Sequence, residues 1–133
     1  MKYLLDSNIC IYALNASHRS VLEKFKEHGP ANLGVSAIVA AELAFGAENS
    51  QRQAASVRAL TMFLESVTVM PWEQSAIWQY ARIRKQLKES GKPISAMDLL
   101  IAGHALDLGS TLVTNNTREF ERVEGLKLEN WAQ

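Results

Sequence analysis

Four stretches of this chain place a carboxylate where a strand ends or a helix begins. Asp6 is the first polar side chain after the apolar run Tyr3-Leu4-Leu5. Glu42 has Ile38, Val39, Phe45 and Gly46 as its helical neighbours three and four residues away, an apolar surround for a charge. Asp98 follows Ser95-Ala96-Met97 and precedes Leu99-Leu100-Ile101-Ala102, the most apolar helix start in the sequence. Thr114-Asn115-Asn116-Thr117-Arg118-Glu119-Phe120 offers Asn116 and Glu119 as further oxygen donors after another apolar run. Carboxylates that share a pocket repel one another unless a hard divalent cation lies between them. An oxygen-only set points to Mg²⁺ or Mn²⁺ and away from zinc or copper. The chemistry such a site performs is metal-activated attack of water on phosphorus, with the metal also stabilising the leaving oxygen.

Each position also has an ordinary reading. Asp6-Ser7-Asn8 is a good capping tripeptide for a helix from Ile9 onward. The tip of Glu42 can escape to solvent past Gly46. Ser95 to Asp98 is a capping box with Asp in place of Glu. The residues after Thr114 suit a turn. Singly, these readings stand. Together, carboxylates that follow two strands and others that ride on the helices between them can meet at one edge of a parallel sheet.

The elements that must position them are short apolar runs alternating with helical patterns. Strands are expected at Tyr3–Leu5, Leu33–Val35, Val67–Met70 and Thr111–Thr114, with a possible fifth at Leu126–Leu128. Helices are expected over Ile9–Leu14, Val21–His28, Ala37–Glu48, Gln51–Glu65 and Glu73–Glu89. A last one runs from Ser95 to Leu108, with Gly109 as its stop. Brief strands between helices indicate crossover units, a mostly parallel sheet of four to five strands, and helices on both faces. In such α/β folds the sites lie beyond the carboxyl ends of the strands.

Composition sets the outer bounds. The length of 133 residues, 47% of them hydrophobic, fits a single domain over residues 1–133. Fourteen Lys and Arg balance fourteen Asp and Glu, which excludes a polybasic protein or an acidic tail but not segregated charge patches. A lone cysteine, Cys10, excludes an internal disulfide and reads as a small buried hydrophobe. The early Asp6 interrupts any signal-peptide core, and no apolar run approaches the roughly 18 residues of a membrane helix. A cytoplasmic location, with no membrane partner, is the expectation.

Some residues have a weaker claim. Arg82, Arg84, Lys85, Lys88 and Lys92 crowd one helix and its exit. All five, Arg82, Lys85 and Lys88 foremost, are candidates for tracking an RNA backbone, and a solvated helix face explains them equally well. His104 is expected to pack within its helix, with His18 and His28 at the surface. Trp72, Trp78 and Trp131 are expected in the core or at a dimer interface.

The four acidic segments, in this order and over almost the whole chain, resemble those of the PIN-domain ribonucleases, and more closely the VapC toxins of type II toxin–antitoxin pairs. The ending Val123-Glu124-Gly125-Leu126-Lys127-Leu128-Glu129-Asn130-Trp131 also looks like the VapC tail. The resemblance implies a three-layer α/β/α PIN-like domain and a Mg²⁺- or Mn²⁺-dependent endoribonuclease. It implies Asp6, Glu42, Asp98 and Glu119 as the catalytic set, with Asp6 and Asp98 on the metal and Ser7, Asn8, Thr114 and Asn116 in support. It further implies structured RNA, often a transfer RNA, as substrate, with translation inhibited by its cleavage. A VapB-like antitoxin and a second copy of the chain are the implied partners. Many PIN domains carry an aspartate in the fourth motif where this chain has Asn115, Asn116 and then Glu119. Other classes fit less well. A receiver-like Mg²⁺-binding domain needs an aspartate after the third strand, where Pro71-Trp72 stands. A haloacid-dehalogenase-like phosphatase needs an aspartate at the position of Asn8. A catalytically weak PIN-like interaction module is the remaining alternative.

Overall fold

Tyr3–Leu5 is buried at every position, as a strand must be when it has neighbours at both edges and helices on both faces. In the computed structural model, which describes residues 1–133, this segment is β1, the middle of a five-stranded sheet. The other strands are β2 (Leu33–Ser36), β3 (Thr68–Met70), β4 (Thr111–Val113) and β5 (Leu128–Glu129). Their order is β3-β2-β1-β4-β5 and every neighbouring pair is parallel. The expected α/β class holds, with five strands and no antiparallel member. A receiver-like fold has the strand order 2-1-3-4-5, so this topology sets that alternative aside.

Helices α1 (Ser7–Asn15) and α2 (Arg19–His28) join β1 to β2, and α3 (Ala37–Glu48) and α4 (Gln53–Ser66) join β2 to β3. Helices α5 (Ala76–Glu89) and α6 (Ala96–Leu108) carry the chain back across the sheet to β4, and the short α7 (Thr117–Phe120) precedes β5. The first two crossovers step one way along the sheet and the third steps the other way. Right-handed connections therefore put their helices on opposite faces, giving three layers. α3 packs on α4 and also reaches α6, so the two helical layers meet beyond the sheet.

Local chemistry fixes where these helices start and stop. Asp6 caps α1 by accepting from Ser7 N, Ser36 caps α3 by accepting from Ile38 N, and Ser95 caps α6 by accepting from Asp98 N. Gly109 ends α6 in the left-handed region at φ 65°, as its position predicts. Leu4, Leu5, Val35, Leu112 and Val113 are fully buried between the layers. Each such side chain contributes roughly 1.5–3 kcal/mol relative to exposure. Cys10 is buried among them, and burial pushes its thiol well above the usual range.

Several boundaries differ from expectation. β5 is two residues at 128–129, not a strand over 126–128. Residues 73–75 form a turn, and α5 begins at Ala76. His28 is half-buried and not freely exposed. The carboxyl-terminal segment folds back so that Trp131, 2% exposed, stacks on the His28 ring at 5.2 Å, and Tyr3 lies 4.5 Å from that ring. Trp78 is not in the core but 75% exposed on α5.

The close approach of α5 and α6 depends on Gly103. A Cβ there would lie 3.1 Å from the backbone nitrogen of Tyr80, an atom that cannot swing aside. We expect Gly103→Val to wedge the two helices apart and cost about 1–3 kcal/mol, read as a lower denaturation midpoint; an unchanged midpoint would show that the helices tolerate a wider spacing.

Candidate active site

The strand order turns at β1 and β4. The chain leaves β1 towards β2 and leaves β4 towards β5, so a crevice opens between their carboxyl ends. Asp6 and Thr114 are the first residues beyond those two strands, and both are buried. Thr114 Oγ1 donates to Asp6 Oδ2 at 2.8 Å, and Ser7 N donates to Asp6 Oδ1 at 2.9 Å. The capping role of Asp6 is therefore real and occupies one oxygen, while the other is held across the crevice. Cys10 N donates to Asp6 O at 3.2 Å, which ties the first turn of α1 to the same residue.

The remaining acids join Asp6 through short polar links. Ser7 Oγ donates to Glu42 Oε1 at 3.1 Å, tying α1 to α3. On the other side, Thr114 Oγ1 accepts from Asn116 N at 2.9 Å, and Asn116 Nδ2 donates to Glu119 Oε2 at 2.5 Å. Glu119 also lies close enough to Asp98 for the two carboxyls to influence each other's titration. The series runs Glu42, Ser7, Asp6, Thr114, Asn116, Glu119, Asp98. All four carboxylates singled out in the sequence thus belong to one network, and so do Ser7, Thr114 and Asn116. Asn8 is exposed and stands apart.

Their environments differ. Burial raises the carboxyl of Asp6, and the Thr114 and Ser7 donors oppose that rise. Asp98 is pushed up to about 6, first by burial, then by the hydrogen bond with Glu119 and by the charges of Glu119 and Asp6. Glu119 is held below its usual value, chiefly by the Asn116 amide. Of the two, Asp98 is therefore the carboxyl that takes up a proton first as pH falls. Glu42 corrects the sequence expectation of an enclosed charge. It is half-exposed, and Phe45 beside it is 71% exposed, so its apolar neighbours line an open groove.

No three acidic or imidazole groups are drawn around a common point as a ready-made cage. The donor set is nonetheless suited to a hard divalent ion. Mg²⁺ keeps several waters and takes only one or two carboxylates from a protein. Burial raises both Asp6 and Asp98, and the charge of a neighbouring acid adds to each rise. A cation at this crevice would displace the Asp98 proton and relieve that repulsion.

Sequence reasoning missed one anchor. Ser36 Oγ and His104 Nδ1 lie 2.8 Å apart, both residues fully or almost fully buried. This bond pins the start of α3 to the middle of α6, and with it the helices that carry Glu42 and Asp98. The expected packing of His104 is seen, but nothing in the sequence pairs it with a serine 68 residues away. Helix α7, too short for a periodic signal, was also missed.

Comparison with known proteins gives a consistent result. The PIN domain family matches residues 3–126. The chain is 37% identical to the tRNA(fMet)-specific endonuclease VapC of Shigella flexneri over 99% of both chains. Its fold is similar to VapBC2 from Rickettsia felis bound to a DNA fragment from the promoter, with a TM-score of 0.92, 36% identity, and coverage of 98% of this chain and 99% of that one. DNA-bound VapBC from Salmonella typhimurium matches with a TM-score of 0.93 and 33% identity over 98% of each chain.

The raised carboxyl of Asp98 makes metal-free stability depend on pH. A carboxyl raised in the folded state contributes stability that is fully present below its unfolded value of 3.8 and lost as pH rises through its folded value of about 6. Asp6 acts in the same direction, whereas the lowered Glu119 contributes above its unfolded value of 4.5 and loses that as pH falls through its folded value. Asp98→Asn keeps a donor towards Glu119 without a titrating group. In chelator, the variant should gain stability relative to the parent as pH rises from about 4 to 7, as melting scans would show. A pH-independent difference would mean that Asp98 does not hold the proton.

Proposed function

The chain belongs to the PIN-domain family, among the VapC ribonucleases, and we propose that it is a toxin that cuts structured RNA with a divalent cation held by Asp6 and Asp98. The observation that carries this reading is the single hydrogen-bonded network joining Asp6, Glu42, Asp98 and Glu119 at the turning point of the strand order. A transfer RNA is the substrate we favour, because the Shigella flexneri relative is named for one. Cutting it would halt translation, and such a substrate lies in the cytoplasm. No helix is long and apolar enough to cross a membrane.

The chain's own residues take separable parts. Ser7 N and Thr114 Oγ1 hold the two oxygens of Asp6 in place at the crevice. Asp98, half-buried at the start of α6, supplies the second carboxylate once its proton has gone to solvent. The Asn116 amide keeps Glu119 charged, so it can accept a proton from an attacking water. Glu42 holds the Ser7 hydroxyl and so fixes the residue that orients Asp6. Mg²⁺ or Mn²⁺, when bound, activates the water and neutralises charge on the phosphodiester.

The relatives of known structure are VapBC complexes, which supports a VapB-like antitoxin as partner. Phe45, Met62 and Trp78 are 71%, 65% and 75% exposed, apolar surface of the kind that a second copy and an antitoxin cover. The domain over residues 1–133 would then act as a homodimer held silent by its partner.

The test is cleavage of transfer RNA by the purified protein in Mg²⁺ or Mn²⁺, with chelator as control. Asp98→Asn should lose about 10²-fold in rate. Metal at one hundred times its Kd should stabilise the parent by about 2.7 kcal/mol, and the variant by less. Cleavage that persists in chelator, or in Asp98→Asn at the parent rate, would overturn the metal-dependent mechanism.

A further inference from the structure

The two flanks of the acidic network differ in chemistry. Beside Glu42 lies a largely apolar groove between α1, α3 and α4, with Ile11, Leu14, Leu43 and Leu60 on its walls. Beside Glu119 lies a cleft of about 440 Å³ with no apolar lining residue, walled by Gly91, Lys92 and Pro93 on one side and by Arg118, Glu121 and Arg122 on the other. It holds three cations against one carboxylate. Across Pro93 a second hollow of about 230 Å³ adds Arg84 and Lys88 from α5.

None of these five cations is engaged in an ion pair. The ion pairs of the molecule are Arg19–Glu23, Lys24–Glu27 and Lys85–Glu89. Arg122 is braced by donating from Nη1 to Pro93 O at 3.1 Å, which joins the two walls of the larger cleft and leaves its other donors free. Arg84 is steadied by donating to the Tyr80 hydroxyl at 2.7 Å. By contrast, Lys85 is paired with Glu89 at 3.8 Å and Arg82 bonds Gln79 at 2.9 Å. Of the five basic residues singled out on this helix and its exit in the sequence, Arg84, Lys88 and Lys92 line the hollows, and Arg82 and Lys85 do not.

We propose that Lys92, Arg118 and Arg122 form a subsite for RNA backbone phosphates next to Glu119, continued across Pro93 by Arg84 and Lys88, so that the substrate strand approaches from the α5–α7 side. The inference rests on the ribonuclease reading above. Planar guanidinium groups grip phosphate oxygens through paired donors, and a lysine adds a mobile charge. Backbone phosphates recur along a strand, so a cationic cleft continued by two further cations on the rim of a mostly apolar hollow suits a polyanion better than a single small anion. The apolar flank beside Glu42 offers a phosphodiester nothing comparable and is left to protein partners.

The test measures binding of labelled transfer RNA in chelator across a range of monovalent salt. The slope of log affinity against log salt should flatten by about one unit for each phosphate-binding cation removed, so by about two for Lys92→Gln with Arg118→Gln. The exposed pair Arg52→Gln, just before α4, with Arg58→Gln on α4 serves as the charge-matched control and should leave the slope unchanged. In metal, the cleft variant should show a raised KM for cleavage. Melting scans should show all proteins folded, since the altered side chains are exposed. An unchanged slope in the cleft variant, or equal flattening in the control, overturns the proposal. So does intact RNA binding with weakened antitoxin binding, which would make the cleft a protein site. If the parent neither binds nor cuts RNA, the ribonuclease reading itself has failed and the subsite falls with it.

Discussion

A carboxylate sealed between the ends of two parallel strands is the constraint around which this molecule is arranged. Asp6 is 6% exposed, and a charge in that position is costly unless donors surround it. One donor is a backbone amide and the other a side-chain hydroxyl. Ser7 N is supplied by the turn into α1, and the Thr114 hydroxyl by the strand that lies beside β1. A hydrogen bond to a charged group contributes about 1.5–3 kcal/mol, so the pair offsets much of the burial cost. The order β2-β1-β4 is therefore a chemical requirement as well as a packing solution, because it sets a hydroxyl against an acid.

From Asp6 the polar links spread unevenly. Towards Glu42 they end in a half-open groove, and towards Glu119 they end in a pair of carboxyls shifted in opposite directions. Helix α6 has a central place because it carries Asp98 at its start and His104 in its middle. The Ser36–His104 bond makes the two layers of helices move as one where they meet. Burial keeps His104 below the usual imidazole range, so the ring is neutral and the bond survives through physiological pH.

Much of this was legible in the sequence. Caps at Asp6, Ser36 and Ser95, the stop at Gly109 and four of the strands follow from local chemistry alone. So does the gathering of four acids, since the carboxyl ends of parallel strands share an edge. What was not legible depended on long-range pairing. His28 reads as polar and becomes part of an aromatic stack only because Trp131 returns to cover it. Glu42 has apolar helical neighbours, but periodicity describes the make-up of a face and not whether anything covers it. The cationic cleft draws on residues 91–93 and 118–122, which no helical spacing connects.

Cys10 gives the molecule a built-in clock. It is the only thiol, it is sealed in the core, and it sits one turn beyond Asp6 with its amide bonded to the Asp6 carbonyl. An alkylating reagent can reach it only during excursions that lift α1 from the sheet. Those same excursions dismantle the turn that aims the buried acid. The rate of thiol capture therefore counts how often the centre comes apart, without mutation, label or substrate, and it can be followed as a partner chain or an ion is added.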